Sequence, residues 1–160
     1  MHTARVRTAV YVIRRRPGGR ELLVFDHRDF PEAGTQVPAG GVEGGELLAE
    51  AALREIAEET GVAGVTLGAA LAVQQSPPPH TGQPQVTVYF QAETAETRDD
   101  WMHTVVSGDE DQGMVFRCFF VPLARAGGLL AGDQGEFVGL VRQAAGGRPY
   151  AVGGVFRSPR

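Results

Sequence analysis

Apolar residues recur along this chain with two different periods. Residues 5–14 predict a strand with a mainly apolar centre, and residues 21–26 its partner, with Pro17-Gly18-Gly19 as the turn of a hairpin. From residue 46 to 60 the period lengthens. Leu47, Leu48, Ala49, Ala51, Ala52 and Leu53 are good helix formers, no Pro or internal Gly interrupts them, and Gly61 supplies the stop. Ala49, Leu53, Ile56 and Thr60 fall on one stripe of that helix, which can pack on a sheet. Residues 67–75 and 85–92 read as further strands, separated by Ser76-Pro77-Pro78-Pro79-His80-Thr81-Gly82, which cannot lie in a central strand. Residues 114–121 predict another strand and about 134 to 145 a second helix. Periodicity by itself supports a mixed α and β domain.

The polar side of the first helix changes that picture. At 3.6 residues per turn Glu55, Glu58 and Glu59 stand at i, i+3 and i+4, so three carboxylates crowd one face. Like charges at this spacing repel, and acidic groups in a last turn meet the negative end of the helix dipole. Local rules broken in this way mark functional sites. A divalent cation reverses the sign of both penalties, and hard oxygen ligands on a rigid face suit Mg²⁺, with Mn²⁺ as a substitute. Because Mg²⁺ favours phosphate oxygens as further ligands, a phosphate-containing substrate follows. Arg54, four residues after Glu50 and four before Glu58, is placed to bridge along the helix and hold a carboxylate in one rotamer. Upstream, Pro38-Ala39-Gly40-Gly41-Val42-Glu43-Gly44-Gly45 carries four glycines in eight residues. Such backbone can approach an ion or a phosphate closely, which makes Gly40 and Gly41 candidate contacts.

An acidic amphipathic helix taken alone is usually a solvated face. Here the glutamates belong to a longer pattern: Gly40, five residues, Glu46, seven residues, then Arg54-Glu55-Ile56-Ala57-Glu58-Glu59-Thr60-Gly61-Val62. This is the complete signature of the Nudix hydrolases, and the chain resembles that family of metal-dependent pyrophosphohydrolases. The resemblance implies an α/β fold, the family's α/β/α sandwich around a mixed β-sheet. It implies that a loop carbonyl near Gly40 joins Glu55, Glu58 and Glu59 around the metal, and that Glu46 has a structural role outside the ligand set. It also implies hydrolysis of a nucleoside diphosphate linked to another group.

Composition narrows the surroundings of that chemistry. A length of 160 residues with no Ser-rich or charged linker fits one domain, 1–160. The formal net charge of −4 argues against a general nucleic-acid binder, so no stable nucleic-acid partner is expected, while small nucleotides remain suited to a metal site. The single cysteine, Cys118, lies in an apolar run and reads as a buried thiol. The opening residues lack a hydrophobic signal core and no apolar run approaches membrane length, so a cytoplasmic protein without a membrane partner is expected. Family members are often dimers, which makes a homodimer the expected assembly.

A base must take the proton of the attacking water, and relatives draw it from the box helix or from a later loop. Glu58 and Glu59 are candidates on the helix. The later loop is Ser107-Gly108-Asp109-Glu110-Asp111-Gln112-Gly113, with Glu110 preferred and Asp109 and Asp111 next; the alternative is an ordinary acidic turn. Arg28 is a candidate for phosphate and Phe30 for stacking on a base, against the plainer roles of surface charge and core packing. Tyr89, Phe90 and Trp101 read as core or sheet-surface aromatics, and neither His80 nor His103 is assigned a metal. Pro77 and Pro78 fall where ADP-ribose pyrophosphatases of the family place a proline, but a triple proline fills that window almost unavoidably. A nucleoside triphosphate is the first expected substrate and a nucleotide sugar the second. An ADP-ribose pyrophosphatase and a non-catalytic nucleotide-binding module are the alternatives.

Overall fold

The computed structural model describes residues 3–76, 83–106 and 111–143. Strand β1 (Arg5–Arg16) turns at Gly19, whose φ of +132° favours glycine, into β2 (Gly19–His27). The two pair antiparallel from Ile13 opposite Leu22 to Arg16 opposite Gly19, the hairpin expected from the sequence. A short β3 (Ala39–Gly41) pairs with the other half of β1, Thr8 opposite Gly40, and leads to α1 (Leu48–Thr60). Then follow β4 (Thr66–Ser76), β5 (Gln85–Glu93), β6 (Asp100–Thr104), β7 (Val115–Pro122) and the single-turn α2 (Leu123–Ala126).

One sheet runs β4-β5-β1-β2-β7-β6, with β3 attached to β1. Only β1 and β5 pair in parallel, so the sheet is mixed. Parallel neighbours need a long crossover, which α1 and β4 supply. Because alternate strand residues face opposite sides, β1 serves two cores at once. Val10 and Val12 join Leu23, Phe25, Phe90 and Phe116 beneath Ala49, Ala52 and Ile56 of α1. Ala9, Tyr11 and Ile13 join Leu22, Val24 and Tyr89 on the opposite face, covered by Ala126, Leu130 and Val138. Each large apolar side chain buried this way contributes about 1.5–3 kcal/mol. The result is the layered α/β/α arrangement implied above. No helix among the described residues is long and apolar enough to cross a membrane.

Four local expectations need correction. The helix starts at Leu48, so Glu46 lies ahead of it; the Glu50 carboxylate accepts the N–H of Leu47 (2.9 Å) and closes the first turn. Leu53 is 40 % exposed, and the buried stripe is Ala49, Ala52, Ile56 and Thr60. The segment expected to form a helix from 134 onward shows, among described residues, only turns and a 3₁₀ helix at Val138–Leu140. Gly135 and Gly139 dilute helix propensity there, and Gln134 is committed elsewhere, its amide oxygen accepting Val37 N–H (2.8 Å) and its carbonyl the Tyr11 hydroxyl. Finally, the glycine-rich loop contains β3, and β6 was missed because it is only five residues long, Asp100-Trp101-Met102-His103-Thr104, and exposes an apolar Met102 where alternation would place a polar residue.

Candidate active site

The glycine strand and the carboxylate helix meet at the free edge of β3. Gly40 has no room for a side chain: a methyl group there would overlap the Glu55 carboxylate. The neighbouring Ala39 N–H points at the helix and donates to Glu59 Oε1 (3.3 Å). Glu55 and Glu59 are 4 % and 5 % exposed, unusual for carboxylates.

Arg54 organises the rest. Its Nε and Nη2 donate to the two oxygens of Glu46 (2.7 and 3.0 Å), Nη1 to Glu55 Oε1 (2.7 Å) and Glu58 Oε2 (3.2 Å), and Nη2 also to the carbonyl of Gly41 (2.9 Å). The planar guanidinium thereby sets the rotamers of three carboxylates and ties the helix to the strand. The bridge to Glu58 was expected from the spacing; on the other side the partner is Glu46, not Glu50. Glu46 also accepts the N–H of Glu43 (2.9 Å), so its carboxylate braces the loop while Arg54 holds it below the usual carboxylate range. Arg54 in turn is held more firmly protonated, chiefly by Glu46.

Glu59 behaves differently. Burial pushes its carboxyl well above the ordinary range, the hydrogen bond and charge of Glu55 add to the shift, and the charge of Asp111 adds again. Of the acidic loop Asp111 is described; Asp109 and Glu110 lie outside the described residues, as do Pro77, Pro78 and His80.

The structure thus gathers Gly40, Gly41, Glu46, Arg54, Glu55, Glu58 and Glu59 into one cluster. Arg28 and Phe30 stand apart from it. Arg28 is exposed and bonded through two nitrogens to Asp29 (both 3.0 Å), and Phe30 is 48 % exposed; no described hydrogen bond or ion pair joins either to the glutamates. Both follow the end of β2, where Phe25 bridges to Gln36.

Sequence reasoning missed a polar pocket of about 290 Å³ that shares Ala39 as a wall with the cluster. Arg7 and Thr87, paired across β1 and β5, line it together with Gln36, Gln74, Tyr89 and Asp133. Arg7 makes no ion pair among the described residues, and its Nε is buried without a hydrogen-bond partner. A small-ligand site of this kind is mostly preformed and carries a few convergent polar groups. The signal was the shared face of alternate residues in β1 and β5, which becomes readable only once their parallel register is known.

Residues 5–141 match the family-wide sequence pattern described as the NUDIX domain. The chain belongs to the Nudix family. Nudix proteins are hydrolases acting on pyrophosphate bonds. Over 61 residues the chain is 49 % identical to an RNA pyrophosphohydrolase of Caulobacter vibrioides, a match spanning 38 % of this chain and 36 % of that relative. Among solved structures it resembles an Ap4A hydrolase of C. elegans in a binary complex (TM-score 0.62, 20 % identity, 86 % of this chain and 94 % of that one). It also resembles the E. coli dihydroneopterin triphosphate pyrophosphohydrolase (TM-score 0.63, 16 % identity, 85 % and 94 %). A third similar structure is the NUDIX domain of Shewanella oneidensis NrtR with ADP ribose (TM-score 0.62, 16 % identity, 88 % and 87 %). At these identities the structural likeness shows the Nudix fold.

The donor set fits a hard divalent cation. It consists of carboxylates packed against Gly40, where a side chain would overlap Glu55, and all its donors are oxygen. Among the described residues no three His, Cys, Asp or Glu side chains stand as a closed ligand set. Arg54 holds Glu55 and Glu58 together instead.

Proposed function

We propose that this Nudix protein hydrolyses a pyrophosphate linkage in a nucleoside diphosphate joined to another group, first a nucleoside triphosphate and second a nucleotide sugar. The products are a nucleoside monophosphate and the phosphorylated remainder. One observation carries the reading: a buried pair of carboxylates, Glu55 and Glu59, lies against a glycine strand with Glu58 and Arg54 beside it, next to a polar pocket. Glu55, Glu58, Glu59 and the Gly40 carbonyl are the residues that would hold Mg²⁺, for which Mn²⁺ can substitute. When bound, the cation neutralises phosphate oxygens and lowers the pKa of a water.

The chain's own groups do the rest. Arg54 keeps Glu55 and Glu58 oriented, so little rearrangement is needed when substrate arrives. The water's proton goes to a carboxylate: Glu110 is the preferred acceptor, Asp109 and Asp111 follow, and Glu58 or Glu59 are the helix alternatives. The pocket beside Ala39 seats the nucleoside, where Arg7 and the glutamine amides offer donors to its oxygens and nitrogens. Gly41 lets backbone approach the phosphates, Arg28 meets a distal phosphate and Phe30 stacks from the rim. Action in the cytoplasm, as a homodimer, accompanies this reading.

The 49 % identical stretch favours a second reading, in which the substrate is the 5′-triphosphate end of an RNA. The formal net charge of −4 weighs against it, since a protein that tracks a nucleic-acid backbone is ordinarily basic. The test is a panel of nucleoside triphosphates, nucleotide sugars, ADP-ribose, dinucleoside polyphosphates and 5′-triphosphorylated RNA with Mg²⁺, with products identified by chromatography and ³¹P NMR. Release of nucleoside monophosphate that stops in excess chelator is expected. Binding without turnover across the panel would make the chain a nucleotide-binding module.

A further inference from the structure

The last turn of α1 is held from outside the helix. A helix leaves its final four carbonyls without intrahelical donors, and each of these finds one. Ala57 accepts the N–H of Gly61 (2.9 Å), Glu58 pairs with His103 Nε2 (2.9 Å), Thr60 accepts the indole N–H of Trp101 (2.9 Å), and Glu59 lies 3.8 Å from the thiol of Cys118. Trp101 and His103 are alternate residues of β6 and so face α1 together, whereas Met102 between them is 56 % exposed.

We propose that His103 is a positioning residue, which by gripping the Glu58 carbonyl at the end of α1 fixes the Glu58 and Glu59 carboxylates in place. The inference rests on the hydrolase reading above. Two residues after His103 the chain reaches Val105, whose N–H donates to Met114 (2.9 Å) and whose carbonyl accepts Gly113 (3.0 Å). The chain from β6 to Val105 therefore contacts the end of the carboxylate helix and, through Val105, the Gly113-Met114 segment just after Asp111. Gly61 completes the joint. It sits at φ +69°, and a methyl group there would stand 2.8 Å from His103 Nδ1, so the ring keeps its place only against glycine. Groups that act on a metal site through its ligands typically change metal affinity or activity about 10- to 100-fold when removed.

The test is Mn²⁺ binding to the otherwise metal-free protein, followed by electron paramagnetic resonance, with thermal unfolding measured on every variant. His103→Ala is expected to weaken Mn²⁺ about tenfold, at the low end of that range because the grip is on backbone. His103→Gln, whose amide N–H reaches the same carbonyl, should restore affinity to within about twofold. Gly61→Ala should weaken it similarly, and adding it to His103→Ala should cost little more, since both break one contact. Arg14→Met, which softens the distant end of β1, serves as the stability control and should bind normally. Wild-type affinity in His103→Ala, failure of Gln to restore it, or an equal loss in Arg14→Met would overturn the inference while leaving the hydrolase reading standing. A wild-type protein that binds no Mn²⁺ would overturn both.

Discussion

Strand β1 carries an arginine network near each end, and the two are built to opposite specifications. At its C-terminal half the buried Arg14 donates to Glu21 (2.8 Å), to Asp99 (2.6 Å) and to the carbonyls of Arg98 (2.8 Å) and Glu96 (3.3 Å), and its guanidinium lies 3.6 Å over the ring of Phe120. Arg16 adds a second cation to the same two carboxylates, so charges balance. Six residues away along β1, roughly 20 Å at the rise of a strand, Thr8 pairs with Gly40, where Arg54 is ion-paired to three carboxylates, Glu46, Glu55 and Glu58, with Glu59 beside them. A structural network closes on itself, whereas this one keeps an excess of negative charge in a buried place. Such an excess stabilises nothing in the metal-free protein; it makes sense as a site that a cation completes.

The largest contrast should come from mutating each hub. Glu58→Gln and Glu59→Gln are each expected to lower kcat at least about 100-fold, as several kcal/mol of charge stabilisation disappear. Arg14→Met should leave kcat per folded molecule unchanged yet lower stability by about 3 kcal/mol in denaturant titrations, because Glu21 loses its buried partner. If the two outcomes were exchanged, the assignment of function to one end and structure to the other would be wrong.

The two ends should also respond to pH with opposite sign. Glu59 has a raised pKa, so as pH climbs past the ordinary value of 4.5 the unfolded chain releases a proton that the folded one keeps. Metal-free stability from this group therefore falls with rising pH until its folded pKa is passed. Asp99, lowered by its hydrogen bond to Arg14, contributes stability that is present at neutral pH and is lost as pH falls through the acid range. Thermal unfolding from pH 4 to 8 should show the alkaline loss disappear in Glu59→Gln and persist in Asp99→Asn. Smaller again is Gly40→Ala, whose methyl group displaces Glu55 and should cost about 1–3 kcal/mol, with activity falling further than stability explains. The smallest effect is Arg28→Ala: its pair with Asp29 is exposed and contributes little to stability, so any rise in KM would report a phosphate contact rather than lost structure.

The legible part of this molecule was the part written in one stretch of chain. Gly40, Arg54, Glu55, Glu58 and Glu59 share a loop and a helix, so 3.6-residue geometry alone brought the carboxylates together. Which glutamate Arg54 chooses was already less legible: Glu50 fits the i, i+4 rule, but its carboxylate is spent on the Leu47 N–H, and Glu46 folds back from the loop instead. The pocket was not legible, because Arg7 and Thr87 meet through a parallel pairing of strands nearly eighty residues apart. The grip of Trp101 and His103 on α1 was hidden for the same reason, and the helix expected after Gln134 gave way to tertiary bonds that periodicity does not encode.

The central claim is that the buried Glu59 carboxyl, raised by burial and by the neighbouring Glu55, marks a cation's place. Titrating Mg²⁺ into the metal-free protein by calorimetry, in two buffers of different ionisation enthalpy near pH 6, tests it directly. Binding that releases a proton in the wild type, and is lost in Glu59→Gln, is the result this account requires. No binding, or equal binding with no proton released in both proteins, would contradict it.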